Sequence, residues 1–330
     1  VMTTIISCGN ARKRGDHSSV GGTAAARYAL RVPQAPPALQ GEAAVAYLRD
    51  NWWREFDFGD TLQLQQIDKG EFARFFARYT MLVPADSADS YMSELMQKAS
   101  QSKPMFDYFM HFAEGVLHDQ NSDFRDDEKY IPVLEAALQS NYLDEYEKAP
   151  YRYDLNIARQ NRVGQVANDF AYTTADGRTS RLYELGAEHI LIFISNPGCG
   201  MCGDVKEQLL SSPVVTDRVA RGKLKVLVIY PDNDLDAWRE HLNDYPASWI
   251  NAYDKGGVIT RDNLYDLRAI PALYLLDAEK RVLVKDSTEV GYVEFVVGND
   301  NAVADNADKA VSRNLAAGDV AAGDGADRGD

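Results

Sequence analysis

The sequence predicts two domains in series, an all-helical one followed by an α/β one with a central mixed sheet flanked by helices. Two changes of texture along the chain lead to this. From Glu42 to about Ala158 apolar residues recur at helical spacing. After Asn161 they gather into short runs rich in Ile, Val and Leu, which suit buried strands. A length of 330 residues and an apolar fraction of 45% allow a core for each domain.

In the helical part, Phe72, Phe75, Phe76 and Tyr79 share a face, as do Tyr91, Leu95 and Met96, and again Phe106, Phe109, Met110 and Ala113. Tyr130, Val133, Leu134, Ala137 and Leu138 repeat the pattern, with Pro132 expected in a first turn, where a missing N–H costs nothing. In the second part, strands are expected at His189 to Ser195, Leu224 to Tyr230, Ala272 to Leu276 and Arg281 to Lys285. Helices are expected from Cys202 to about Leu210 and from about Leu235 to Asn243, and the alternation implies a βαβ arrangement. Asp277-Ala278-Glu279-Lys280 fits a hairpin turn between the last two strands.

These readings divide the chain into a terminal segment and tether at 1–40, a helical domain at 41–160, the α/β domain at 161–297 and an acidic tail at 298–330. The tether carries Gly, Ser, Ala and Pro33, Pro36 and Pro37 without apolar periodicity, and the tail collapses to Ala, Gly, Asp and Asn, a composition expected to be disordered. A formal net charge of -15 argues against nucleic acid or anionic membrane bound through bulk electrostatics. No apolar run approaches the roughly 20 residues of a transmembrane helix.

Only Cys8, Cys199 and Cys202 are cysteines, so there is no disulfide framework. Cys199 is expected just after a strand, past the turn Asn196-Pro197-Gly198, and just before a helix. Unpaired N–H groups and the positive end of the helix dipole favour a thiolate there, which makes Cys199 the expected nucleophile. Cys202 lies one helical turn further on, placed to resolve a mixed disulfide by attacking Cys199. Pro271 opens a strand after Ile270, is a candidate for a cis bond, and donates no N–H, leaving the Ile270 backbone free to pair with an extended substrate; a plain trans strand-opening proline is the other reading.

The run Gly164 to Phe170, then Asp176-Gly177-Arg178, Leu182, the Cys199/Cys202 pair and Ile270 to Asp277 resembles the TlpA/ResA branch of thioredoxin-like proteins. Residues 41–297 as a whole are similar to Bacteroidetes lipoproteins that place a helical domain of unknown function ahead of a thioredoxin-like one. The resemblance implies an extracytoplasmic thiol–disulfide oxidoreductase of α/β thioredoxin-like fold, with Cys199 as nucleophile, Cys202 as resolving cysteine and Pro271 as a cis-proline facing them. It implies protein thiols and disulfides as substrates, a membrane or periplasmic redox partner, and no metal, nucleotide or flavin cofactor. Two positions depart from thioredoxins proper: Gly198 stands where a Trp precedes the first cysteine, and Phe193 where a buried Asp lies six residues before it. Asp204 and Glu207 are candidate replacements for that proton acceptor but read more simply as exposed helix residues.

Other readings of the same residues stay open. Two thiolates at this spacing are half of a structural zinc site, but no second Cys pair or Cys/His cluster completes it. A structural disulfide across two residues closes too short a loop to stabilise much. A peroxidase would want a separated partner cysteine. A non-catalytic binding module would use the helical domain for a protein or glycan, with Trp52, Trp53, Phe56 and Phe58 as an exposed aromatic platform, although core packing is the commoner fate of such residues. Ile5-Ile6-Ser7-Cys8 resembles a bacterial lipobox, which implies lipidation of Cys8 and a lipid-anchored periplasmic location, the basic Arg12, Lys13 and Arg14 favouring the periplasmic side.

Overall fold

In the computed structural model, residues 28–299 are described; Cys8, most of the expected tether and nearly all of the acidic tail lie outside them. The chain first builds a set of helices: α1 (Glu42–Asn51), α2 (Lys69–Leu82), α3 (Ala88–Ala99), α4 (Lys103–Leu117), α5 (Asp127–Gln139) and α6 (Lys148–Ala158). Three of them start where the sequence supplies a cap. Asp68 accepts the Glu71 N–H ahead of α2, Ser102 the Met105 N–H ahead of α4, and Asp126 the Lys129 N–H ahead of α5.

The aromatic faces read from the sequence meet in one core. Phe72, Phe76 and Phe109 are fully buried, and edge-on contacts such as Phe72 with Phe109 at 5.4 Å recur through it. Trp52, Trp53, Phe56 and Phe58 belong to this core at 4–8% exposed, as core packing expects, and form no exposed platform. Pro132 is also corrected: it is the sixth residue of α5, inside the helix, where it removes the bond that an N–H would have given to Glu128. Residues 28–40, expected within the tether, follow the helical domain, with Tyr28 donating its N–H to the Gln66 carbonyl at 3.3 Å and its hydroxyl to the Glu55 carbonyl at 3.1 Å.

The second part contains β1 (Ala171–Thr174), β2 (Thr179–Arg181), β3 (His189–Ile194), α7 (Gly200–Ser211), α8 (Pro213–Ala220), β4 (Leu224–Tyr230), α9 (Leu235–Glu240), β5 (Ile250–Tyr253), α10 (Val258–Arg261), β6 (Ala272–Asp277), β7 (Val282–Ser287) and α11 (Val290–Gly298). Among the described residues these strands form a sheet in the order β2-β1-β5-β4-β3-β6-β7. β3 lies in its interior, parallel to β4 on one side and antiparallel to β6 on the other. Strand alternation separates two cores. Leu191, Phe193, Val226 and Val228 face α7, α8 and α11, while Ile190, Ile192, Ile194 and Ile229 face Phe170, Tyr265 and the opposite layer. This is a thioredoxin-like arrangement.

The connection between the domains is pinned. After α6 the backbone runs along β7, with Gly164 N–H bonded to the Val282 carbonyl and Val282 N–H to the Gln165 carbonyl, both at 2.8 Å, which covers an otherwise open sheet edge.

Ionic contacts join the same two parts. Arg125, in the loop before α5, donates to Asp266 at 3.1 Å and to Asp286. Arg268 clasps Asp266 and returns to Asp154 at 2.9 Å, and Lys285 reaches Asp127 at 2.7 Å. Burial opposes ionisation of Asp266, yet hydrogen bonds and charge from Arg268, with Arg125 behind, hold its carboxyl below the usual range. For Asp286 burial wins and pushes the carboxyl up to about 6. Asp286 also sits at φ 46°, a left-handed conformation that Asn accepts readily.

Removing Arg125 strands the buried Asp286 carboxyl and takes one of two cations from Asp266, so Arg125→Ala is expected to cost about 3–5 kcal/mol in urea unfolding. Asp286→Asn keeps the shape and the backbone preference and is expected to stay within about 1 kcal/mol of wild type at neutral pH. An Arg125→Ala loss no larger than that of Asp286→Asn would contradict the role given to this network.

Candidate active site

The site is built where the central strand hands over to a helix. β3 ends at Ile194, and Ser195 N–H still bonds to the Ile229 carbonyl at 3.0 Å, so the strand is held to its last residue. The chain then reverses through Asn196, Pro197 and Gly198. Gly198 takes φ 70°, a left-handed conformation that a side chain would strain. Cys199 N–H closes the turn on the Asn196 carbonyl at 3.3 Å.

Cys199 is the N-cap of α7, with extended backbone at φ -73° and ψ 116°, and its sulfur accepts the Cys202 N–H at 3.3 Å. A sulfur thus takes the place that a Ser or Asp oxygen fills at the other capped helices, and a thiolate there receives a hydrogen bond from the helix start. Both thiols are free, Cys199 half-buried and Cys202 at 2% exposed. Burial, with the neighbouring Cys199, pushes the Cys202 thiol up to about 11, against hydrogen bonds from the Asn196 backbone and the Ser195 hydroxyl that pull it down. Cys202 is therefore a protonated thiol at neutral pH.

The expected third element arrives from β6. The Ile270-Pro271 peptide is cis, and the Ile270 carbonyl lies 4.0 Å from Cys199 Sγ. Ile270 packs against both sheet cores, which ties this turn to the layers around it. The structure therefore brings Cys199, Cys202 and the Ile270-Pro271 turn together, while Cys8 lies outside the described residues. Asp204 and Glu207 are exposed on α7, with Glu207 paired to Lys206 at 3.4 Å, and Phe193 is fully buried carbon. Among the described residues no group of three or more His, Cys, Asp or Glu side chains is placed to hold a metal ion.

Sequence reading passed over two residues that the fold carries here, Ser195 and Tyr245, whose hydroxyls stand 2.7 Å apart. The only signal for Ser195 was strand alternation, which puts it on the Phe193 side of the sheet. Tyr245 follows a short 3-10 turn, where no periodicity marks it.

A family model described as a domain of unknown function, DUF5106, matches residues 7–161, the helical part. The crystal structure of a thioredoxin-like protein from Bacteroides caccae is 36% identical, covers 82% of this chain and 98% of its own, and superposes with a TM-score of 0.77. The chain belongs to the thioredoxin-like family. The C-terminal domain of an uncharacterized protein from Bacteroides fragilis is 50% identical over 42% of this chain and 99% of its own, with a TM-score of 0.41. No curated protein matches.

In this thioredoxin-like protein the two thiols differ in access, and alkylation reads the difference. Iodoacetamide at mildly acidic pH is expected to label Cys199 and leave Cys202 unmodified until the protein unfolds. The folded Cys202 pKa is raised above its ordinary 9.0, so its contribution to stability is intact below 9.0 and lost as pH climbs towards about 11. Equal labelling of both cysteines in the folded protein would contradict this assignment.

Proposed function

We propose that this protein is a thiol–disulfide oxidoreductase that acts on protein disulfides outside the cytoplasm. The observation that carries the reading is the asymmetry of the thiol pair: a half-buried Cys199 capping α7, and a buried, protonated Cys202 whose N–H touches the first sulfur at 3.3 Å. Thiolate attack by Cys199 on a substrate disulfide forms a mixed disulfide and releases one substrate thiolate. Cys202 then attacks Cys199, the second substrate sulfur leaves with its electron pair, and the Cys199–Cys202 disulfide remains. Electrons pass from sulfur to sulfur, and this exchange needs no metal, nucleotide or flavin. A membrane or periplasmic thiol partner returns the pair to its starting state.

Family membership supports the fold of this reading, and the chemistry rests on the cysteines. The binding-module alternative loses its aromatic platform, because Trp52, Trp53, Phe56 and Phe58 are core residues. The extracytoplasmic location rests on the lipobox-like run ending in Cys8.

Cys202→Ser tests activity and location together. Without a resolving thiol, mixed disulfides at Cys199 are expected to accumulate in the native host, to disappear on reduction, and to be absent from the Cys199→Ser, Cys202→Ser double variant. Periplasmic and outer-membrane proteins are the expected partners, recovered with the membrane fraction unless Cys8 is changed to Ala. A trap that collects nothing would contradict the enzyme, and one that collects cytoplasmic proteins alone would contradict the location.

A further inference from the structure

Cys202 must shed a proton in the resolving step, and the strand beneath it offers no carboxylate: Phe193, six residues before Cys199, is fully buried and packs among apolar side chains. Two hydroxyls stand there instead. Ser195 shares the sheet face of Leu191 and Phe193, is 2% exposed, and its Oγ lies 2.7 Å from the Tyr245 hydroxyl. The Ser195 hydroxyl stands near enough to the Cys202 thiol to pull it down against the effect of burial. Tyr245 is held by ring contacts with Phe193 at 6.3 Å and Trp249 at 6.2 Å, and is only half-buried, so it joins the interior to water.

We propose that Ser195 and Tyr245 form a hydroxyl relay for the Cys202 proton, with Ser195, on the sheet face that Cys202 packs against, as its first member and Tyr245 as the positioning residue that orients it and leads to solvent. The inference rests on the thiol–disulfide reading above and supplies its missing proton path. As Cys202 attacks, the Cys199–Cys202 bond forms and the bond from Cys199 to the substrate sulfur breaks, its electron pair leaving on the substrate. The Cys202 proton passes to Ser195 Oγ as the Ser195 proton passes to Tyr245 and the Tyr245 proton to water, from which the departing thiolate is protonated. The cysteine pair is oxidised and the substrate disulfide is reduced.

The surroundings suit a conduit and not a base. Burial raises the Tyr245 phenol above its ordinary value, so it stays protonated between transfers. The ionisable groups acting on the relay are Cys199, Asp244 beside Tyr245, and Lys206, whose ammonium stands 5.9 Å from the Tyr245 ring centre. β3 brings Phe193 to this end, and the Ile270-Pro271 turn brings nothing ionisable.

The test uses the full chain loaded at Cys199 with a chromogenic aromatic thiol, following its release by Cys202 in stopped flow across pH. Ser195→Ala and Tyr245→Phe are expected to slow release about tenfold at neutral pH and to move the midpoint up by about one pH unit, with alkylation of Cys199 unchanged. Ser195→Thr, which keeps a hydroxyl, is expected to restore the wild-type profile. A Tyr245→Phe profile superimposable on wild type overturns the relay, and so does a uniform slowing with an unmoved midpoint, which is the mark of packing alone. Failure of the wild type to release the thiol at any pH is a separate result and overturns the exchange reading itself.

Discussion

One hydrogen bond, from the Cys202 N–H to the Cys199 sulfur at 3.3 Å, fixes the geometry of the site. It exists because β3 is locked on both sides and must turn into α7 at once, which leaves Cys199 at the only position of the helix where a side chain accepts from the backbone. Three residues later the same helix has rotated far enough to drive Cys202 into the core with Val205 and Leu209. One backbone conformation thus produces one reachable sulfur and one dry sulfur. That difference is what an ordered two-step exchange requires.

The helical domain is bound to this scaffold by charge as well as by chain. Arg125, Arg268 and Lys285 meet Asp127, Asp154, Asp266 and Asp286 where the two parts touch. Buried ion pairs of this kind add little net stability but penalise every arrangement that leaves one charge unpaired. Arg268 and Asp266 stand in the segment that leads from Tyr265 to Ile270 and Pro271. The helical domain therefore abuts the segment that carries the cis peptide beside Cys199. The two domains are mechanically continuous through it.

How much of this the sequence carried depended on how strongly each element is buried. The strands at the centre of the sheet were plain as runs of Ile, Val and Leu, and β4 begins and ends at the expected Leu224 and Tyr230. β1, β2 and β5 are short, and the Thr and Ser of β1 and β2 and the Asn of β5 read equally well as loop. α11 buries Val290, Val293, Val296 and Val297 at helical spacing, but a segment so rich in Val reads as readily as strand. In the helical domain the apolar faces are plain at helical spacing, and Trp52 to Phe58, which lack a period, point inward as large aromatic side chains commonly do. At the site, Cys199, Cys202 and Pro271 were visible as a motif and its partner. Ser195 and Tyr245 lie 50 residues apart and meet only through the fold.

On this view Cys199 and Cys202 are a single two-electron couple. Equilibrating the full chain with glutathione buffers of graded potential, and quenching with acid before mass analysis, measures that directly. The expected result is one reversible transition with a mass change of two hydrogens, confined to Cys199 and Cys202, with a midpoint in the range of about -270 to -120 mV spanned by thioredoxin-fold oxidoreductases. A pair that stays fully reduced throughout, or that accumulates only glutathione adducts without closing a disulfide, would contradict it.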